Sequence, residues 1–227
     1  MDPYYSRIEV SNSDLSWLQN QLIPRNMPDP TNAYRMGSLL DAMITEPNRV
    51  NFITRRLDGD EYTIEEFDKA EKMKRAFLTD DLCLKLLEMS EPQKVMTRRL
   101  NLNFQGIDFS LTMRCKWDFW FHSLGHGADL KSTTATSQRQ FEDAVKYFEY
   151  DRQRAVYMTI ADAEKDILVG ISKVNFKVFK VFLNRNSDLY QAGMYKFLKL
   201  GYHWNSLFGE DKSMLLANGK CYADTAL

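Results

Sequence analysis

Cys115-Lys116-Trp117-Asp118-Phe119-Trp120, a loop through Gly125 and Gly127, and then Ala128-Asp129-Leu130-Lys131-Ser132-Thr133-Thr134 form the stretch whose reading decides the fold. Strand side chains alternate faces with a period of two, so Asp129 and Lys131 emerge on one side of a strand while Leu130 points to the other. The loop centres near residues 123 to 125, and an antiparallel hairpin about it brings Asp118 roughly opposite Asp129. Facing carboxylates lie about 4.5 to 5.5 Å apart at Cβ and repel unless a positive charge stands between them. A hard divalent cation meets that need, since Mg²⁺ commonly takes one or two carboxylates plus waters and a substrate phosphate. Lys131 then stands beside the ion, where it can orient or deprotonate an attacking water or offset charge on a pentavalent phosphate. The plainer alternative is a hairpin whose acids are merely solvated, because an isolated D-x-K is a common pattern.

Working outward, the chain of 227 residues suits one domain with a substantial core, expected over 1–209, with a helical part over 1–90, a sheet core over 91–209 and a tail over 210–227 that carries weak signals and is expected to be mobile. Hydrophobic residues at 44% argue for a folded globule. No apolar run reaches the roughly 18 residues that would span a bilayer, so no membrane partner is expected. Met1-Asp2-Pro3-Tyr4-Tyr5 lacks the basic and then apolar pattern of a signal segment, and a cytoplasmic location is expected. Three scattered cysteines, Cys83, Cys115 and Cys221, indicate neither a disulfide framework nor a metal cluster. The net charge of −1 gives no global pull toward a polyanion. Local phosphate contacts decide such binding, and the candidates for a groove are Arg98, Arg99, Arg114, Lys116, Lys173, Lys177 and Lys180.

Ser11-Asn12-Ser13-Asp14 caps a first helix, and Met36, Leu39, Leu40, Met43 and Ile44 follow the helical period to a stop at Glu46-Pro47, leaving Asp41 beside a buried stripe. Thr63-Ile64-Glu65-Glu66 has capping-box form, and a further helix covers 81–89. The period then changes: 95–104 and 107–121 read as strands about a turn at Gln105-Gly106, with the hairpin supplying a third strand. A helix is predicted over 137–160, a central strand covered on both faces over 171–183, and a long helix over 188–208. That order implies an α/β (α+β) domain with a mixed central sheet flanked by helices and an N-terminal helical decoration.

On the helix after the hairpin, Tyr150, Gln153 and Tyr157 fall at i, i+3 and i+7, a stripe able to look back across the site. Gln153 can hold a water or a phosphate oxygen there; the alternative is an ordinary amphipathic rim. Thr133 and Thr134 can bind phosphate or simply cap the strand end.

These residues resemble the PD-(D/E)XK nuclease core, and the flanks resemble its exonuclease VIII (RecE-type) and phage recombination exonuclease branch. The likeness runs from Tyr4 to about Phe208 through Val10-Ser11-Asn12-Ser13-Asp14-Leu15, Met36-Gly37-Ser38-Leu39-Leu40-Asp41-Ala42, Glu46-Pro47, Ala70-Glu71-Lys72-Met73, Asp129-Leu130-Lys131-Ser132-Thr133-Thr134, Phe141 and Tyr150-Asp151-Arg152-Gln153-Arg154-Ala155-Val156-Tyr157. The resemblance implies a restriction-endonuclease-like core and a Mg²⁺- or Mn²⁺-dependent exonuclease acting from 5′ ends of linear duplex DNA in recombination or phage replication. Such enzymes often form rings, and a single-strand annealing protein is an expected partner. It further implies Asp118, Asp129 and the Leu130 carbonyl as metal ligands, Lys131 serving the water, Gln153 assisting, and Ser38 near the scissile phosphate, with Thr133, Tyr150 and Tyr157 facing DNA. The family pattern usually has histidine where this chain has Asp41, a harder oxygen ligand that can still take Mg²⁺ or Mn²⁺. One rival reading is a catalytically weak DNA-binding or assembly protein that keeps the fold. Another is a single-strand nuclease like CRISPR-associated relatives, disfavoured by the missing cysteine quartet.

Overall fold

The computed structural model describes residues 4, 6–24 and 29–217. Helices α1 (Asn12–Leu22), α2 (Thr31–Thr45), α3 (Ile64–Thr79) and α4 (Asp81–Met89) come first, with three two-residue strands, β1 (Val50–Asn51), β2 (Arg56–Leu57) and β3 (Asp60–Glu61), between α2 and α3. They precede β4 (Glu91–Phe104), β5 (Ile107–Phe121), β6 (His126–Thr133), α5 (Gln138–Tyr147), α6 (Tyr150–Ala161), β7 (Lys165–Ser172), β8 (Val178–Asn184), α7 (Asp188–Phe208) and α8 (Ser213–Ala217). The main sheet runs β4-β5-β6-β7-β8, antiparallel except for the β6–β7 pair. It is a mixed sheet with helices on both faces, the α/β class that the order of elements implied.

Local chemistry sets the element ends. Ser11 and Asp14 close a reciprocal capping box on α1, and Thr63 and Glu66 do the same on α3. Gln105 and Gly106 both take positive φ in the β4–β5 turn, as a two-residue hairpin with the sheet's own twist requires. One apolar layer joins Met113, Cys115 and Trp117 of β5 and Leu168 of β7 to α1, α5, α6 and α7. The other joins Phe119, Phe121, Leu130, Val169 and Ile171 to α2, α3 and α4.

Two predicted elements are corrected. The single helix expected over 137–160 is two, broken at Phe148 and Glu149, where Glu149 adopts φ 56°. Neither residue is a helix breaker, so the break is tertiary. The buried Glu149 carboxylate accepts from Gln19 Nε2 at 2.9 Å and Arg152 Nη1 at 2.8 Å, and Arg152 also reaches Asn12, Ser16 and Gln19 Oε1 on α1. The strand expected over 171–183 is instead the end of β7, a turn, and the edge strand β8. Ser172 Oγ accepts from the N–H groups of Val174 and Asn175, and Asn175 Oδ1 from that of Lys177, which folds the chain back. The doubly covered central strand is therefore β7, whose buried run begins at Asp166.

Within the stretch read as a tail, 210–217 packs on the body: the Glu210 carbonyl accepts from Thr112 N–H at 2.8 Å, Lys212 N–H donates to Ile8 O at 2.9 Å, and Leu215 is buried. Cys221 lies outside the described residues; Cys83 and Cys115 are buried free thiols. Among the described residues, no helix is long and apolar enough to cross a membrane.

Candidate active site

Asp118 sits where two strands part. The β5–β6 ladder pairs Phe119 with Ala128, Trp120 with Gly127 and Phe121 with His126, and continuing that register places Asp118 across from Asp129 as the hairpin geometry requires. There the ladder ends, and Asp118 Oδ2 accepts the Leu130 N–H at 2.7 Å in place of a backbone carbonyl. Face alternation also breaks here: Trp117 and Phe119, two apart on one strand, lie in opposite apolar layers. Gln93, across β4 from this point, takes φ 54°. A carboxylate is thereby set into the split between β5 and β6.

β6 follows the period of two. Leu130 packs with α2 and α3, while Asp129 and Lys131 face α6. Asp129 is 2% exposed, and Arg154 Nη1 donates to its Oδ1 at 2.5 Å. Lys131 Nζ pairs with the other oxygen, Oδ2, and stands 5.2 Å from the centre of the Tyr150 ring. Arg154, fully buried, also donates through Nε to Asp166 Oδ2 at 2.5 Å and packs on the rings of Trp117 (4.6 Å) and Tyr157 (4.4 Å). Two carboxylates and two aromatic faces offset the desolvation of one guanidinium.

The electrostatics couple the acids. Burial, then repulsion from Asp129 and Asp41, pushes the Asp118 carboxyl well above its usual range, against the pull of Lys131 and the Leu130 N–H. Asp41 is raised to about 6 by burial, opposed by Lys116 and reinforced by Asp129 and Glu46. Burial would lower Lys131, yet attraction from Asp129 and Asp118 outweighs it and its pKa is raised. Asp166 is likewise raised to about 6 by burial, against the pull of Arg154.

The structure thus brings Asp118, Asp129, Lys131 and Tyr150 together and places Asp41 within electrostatic reach. Asp41 is held by Gln93 Nε2 at 3.0 Å and Thr45 Oγ1 at 3.3 Å. Among the described residues, no three or more His, Cys, Asp or Glu side chains gather closely enough to hold a metal ion between them. The pair Asp118 and Asp129, with the Leu130 carbonyl adjacent, has the donor chemistry of a two-carboxylate magnesium site completed by water and phosphate. Its mutual repulsion is what a divalent cation would relieve.

Other expected residues fall differently. Gln153 keeps a buried Oε1 with no hydrogen-bond partner among the described residues. Ser38 is exposed on α2, one turn before Asp41. Thr133 serves the strand end, its Oγ1 accepting from Ala135 N–H and its carbonyl from Lys173 N–H at 2.7 Å. Tyr157 is 8% exposed and meets Trp117 and Arg154 rather than solvent, so burial corrects the expectation that its ring faces DNA. Sequence reading missed Arg154, Asp166 and Gln93. An acid opening the apolar run Ile167-Leu168-Val169 was a usable signal, since a buried carboxylate requires a cation nearby.

Comparison with known proteins gives the family. A search of curated proteins finds no match. Among solved structures, the chain is similar to SSO0001 at 12% identity, covering 93% of each chain with a TM-score of 0.38. It is also similar to a phage related exonuclease from Haemophilus somnus 129PT at 12% identity, covering 88% of this chain and 84% of that one with a TM-score of 0.43. Residues 16–180, spanning α2, the β5–β6 split and α6, match the family described as PDDEXK-like domain of unknown function (DUF3799). By that match over most of its length, the chain belongs to the PDDEXK-like DUF3799 family.

Proposed function

We propose that the protein is a metal-dependent deoxyribonuclease, a 5′-to-3′ exonuclease on linear double-stranded DNA that serves recombination or phage replication. The observation that carries this reading is the placement of Asp118 and Asp129 in the β5–β6 split with Lys131 beside them. Asp118, Asp129 and the Leu130 carbonyl would hold Mg²⁺ or Mn²⁺, with Asp41 at the margin. When bound, that ion polarises a phosphate oxygen and makes its water acidic.

This chain's residues do the rest. Lys131 remains an ammonium at neutral pH, because the two acids raise its pKa, so it suits offsetting charge on the pentavalent phosphorus better than removing a proton. In this reading Gln153, whose buried Oε1 has no hydrogen-bond partner among the described residues, would assist the attacking water. Tyr150 covers one side of the ammonium, and in this reading Ser38 and Thr133 would contact the DNA strand. A ring-shaped homo-oligomer and a single-strand annealing partner belong to the same reading.

Incubation with Mg²⁺ or Mn²⁺ and end-labelled linear duplex, beside a closed circle and a Lys131→Ala control, tests it. Loss of the linear form from its 5′ ends, with the circle intact and the variant inert, is expected. Cutting of the circle would make it an endonuclease. A folded protein that binds DNA and cuts nothing would favour the second reading, a DNA-binding or assembly protein retaining the fold. The diversion of Asp129 into ion pairs with Lys131 and Arg154 is the observation on that side.

A further inference from the structure

We propose that Lys69, Lys72 and Lys173 form a phosphate-binding platform beside the C-terminal end of β6, holding the nucleic-acid backbone after it leaves Asp129 and Lys131. The inference rests on the nuclease reading and adds to it where the strand runs.

Lys173 follows β7 directly, and its N–H donates to Thr133 O at 2.7 Å, which fixes it at the mouth of β6. Thr133 lies four residues from Asp129, about 13 Å at strand rise. Lys69 and Lys72 are exposed on α3 at i and i+3, so they share one helix face. α3 packs against β7, and Lys72 Nζ stands 6.0 Å from the ring of Phe176 in the β7–β8 turn that Lys173 begins. Glu65 and Asp68 lie one turn before Lys69 and Lys72, yet among the described residues none of the three lysines makes an ion pair. Lys173 is half-buried, and its pKa is lowered by burial and then by Lys69, with no acid raising it.

Like charges held together without a counter-ion cost free energy that a bound polyanion would recover. Four of the six other candidate cations contrast with this. Arg98 pairs with Asp162, Arg99 with Glu210, Arg114 with Asp14 and Lys180 with Asp80, so their charge is already answered within the fold. Sequence alone ranked all of them together; the ion pairs set these four apart from Lys173, and α3 adds two lysines.

The test is fluorescence anisotropy with end-labelled linear duplex in Mg²⁺, in a Lys131→Ala background so that binding is read without cleavage. That background is compared with one also carrying Lys69→Ala, Lys72→Ala and Lys173→Ala, with folding checked by circular dichroism. The platform predicts a Kd raised by about tenfold or more at moderate salt, and a slope of log K against log salt shallower by about 0.9 for each phosphate no longer neutralised. Equal affinity and equal slope would overturn the platform and leave the nuclease reading standing. Failure of the Lys131→Ala background itself to bind any duplex or single strand would remove both.

Discussion

Arg154 grips Asp129 from beneath: its Nη1 lies 2.5 Å from Asp129 Oδ1, on the side of the carboxylate away from Lys131. One oxygen is thus committed to Arg154 and the other to Lys131. Because Asp166 holds the same guanidinium, replacing Arg154 by Met leaves the buried Asp166 without its cationic partner and Asp129 with Lys131 alone. Breaking a buried pair from one side typically costs about 3–5 kcal/mol. Urea unfolding of Arg154→Met should show a loss in that range, and a change under about 1 kcal/mol would contradict the ion-pair geometry.

Asp41 makes stability depend on pH in a definite direction. Its folded pKa of about 6 lies above the unfolded carboxylate value of about 3.9, so between those values the native state binds more protons and stability falls as pH rises. Asp41→Asn removes that dependence while keeping an acceptor for Gln93. The variant should gain in Tm relative to the parent at pH 7.5 and gain little at pH 4.5. A gain that is the same at both, or larger in acid, would show that burial does not penalise the charge.

α6 is held in place by a backbone approach that only glycine permits. A Cβ on Gly193 of α7 would stand 2.3 Å from the Asp151 carbonyl oxygen, where backbone cannot yield easily. Overpacking of this kind costs about 1–3 kcal/mol. Gly193→Ala should lower the thermal midpoint, and because α6 carries Tyr150, Gln153 and Arg154, it should also weaken the site. An unchanged midpoint would mean that the two helices separate freely.

Lys131→Ala should keep the fold and abolish chemistry. The side chain is in neither apolar layer, so circular dichroism should be unchanged, while any cleavage falls by about 10²–10³-fold, the scale of losing one charge-stabilising group. Lys131→Arg, which keeps the charge, should retain more activity than the alanine variant. Parity of the two would remove the electrostatic role.

Much of the architecture was legible because local rules settle it. The bounds of β5, α4 and α7 follow from periodicity and capping, and Asp118 opposite Asp129 followed from loop length alone. The failures share a cause. The α5–α6 break depends on Gln19 and Arg152, which meet Glu149 only in the folded chain, so nothing local announced it. β7 was missed because Val174 and Phe176 extended an apolar pattern through a turn made by Ser172 and Asn175. In the site, D-x-K was readable as a strand motif. Arg154 was not, because an arginine between apolar helix positions looks like a solvated rim until burial is known, and Gln93 meets Asp41 only through the kink in β4.

The central claim is that Asp118 and Asp129 share one divalent cation, and anomalous diffraction from a crystal soaked in Mn²⁺ tests it most directly. A single strong peak between the two carboxylates, at oxygen distances of roughly 2.0 to 2.3 Å and lost in Asp118→Asn, is the predicted result. A well-ordered crystal with no peak there, its Asp129 still paired with Lys131 and Arg154, would contradict it.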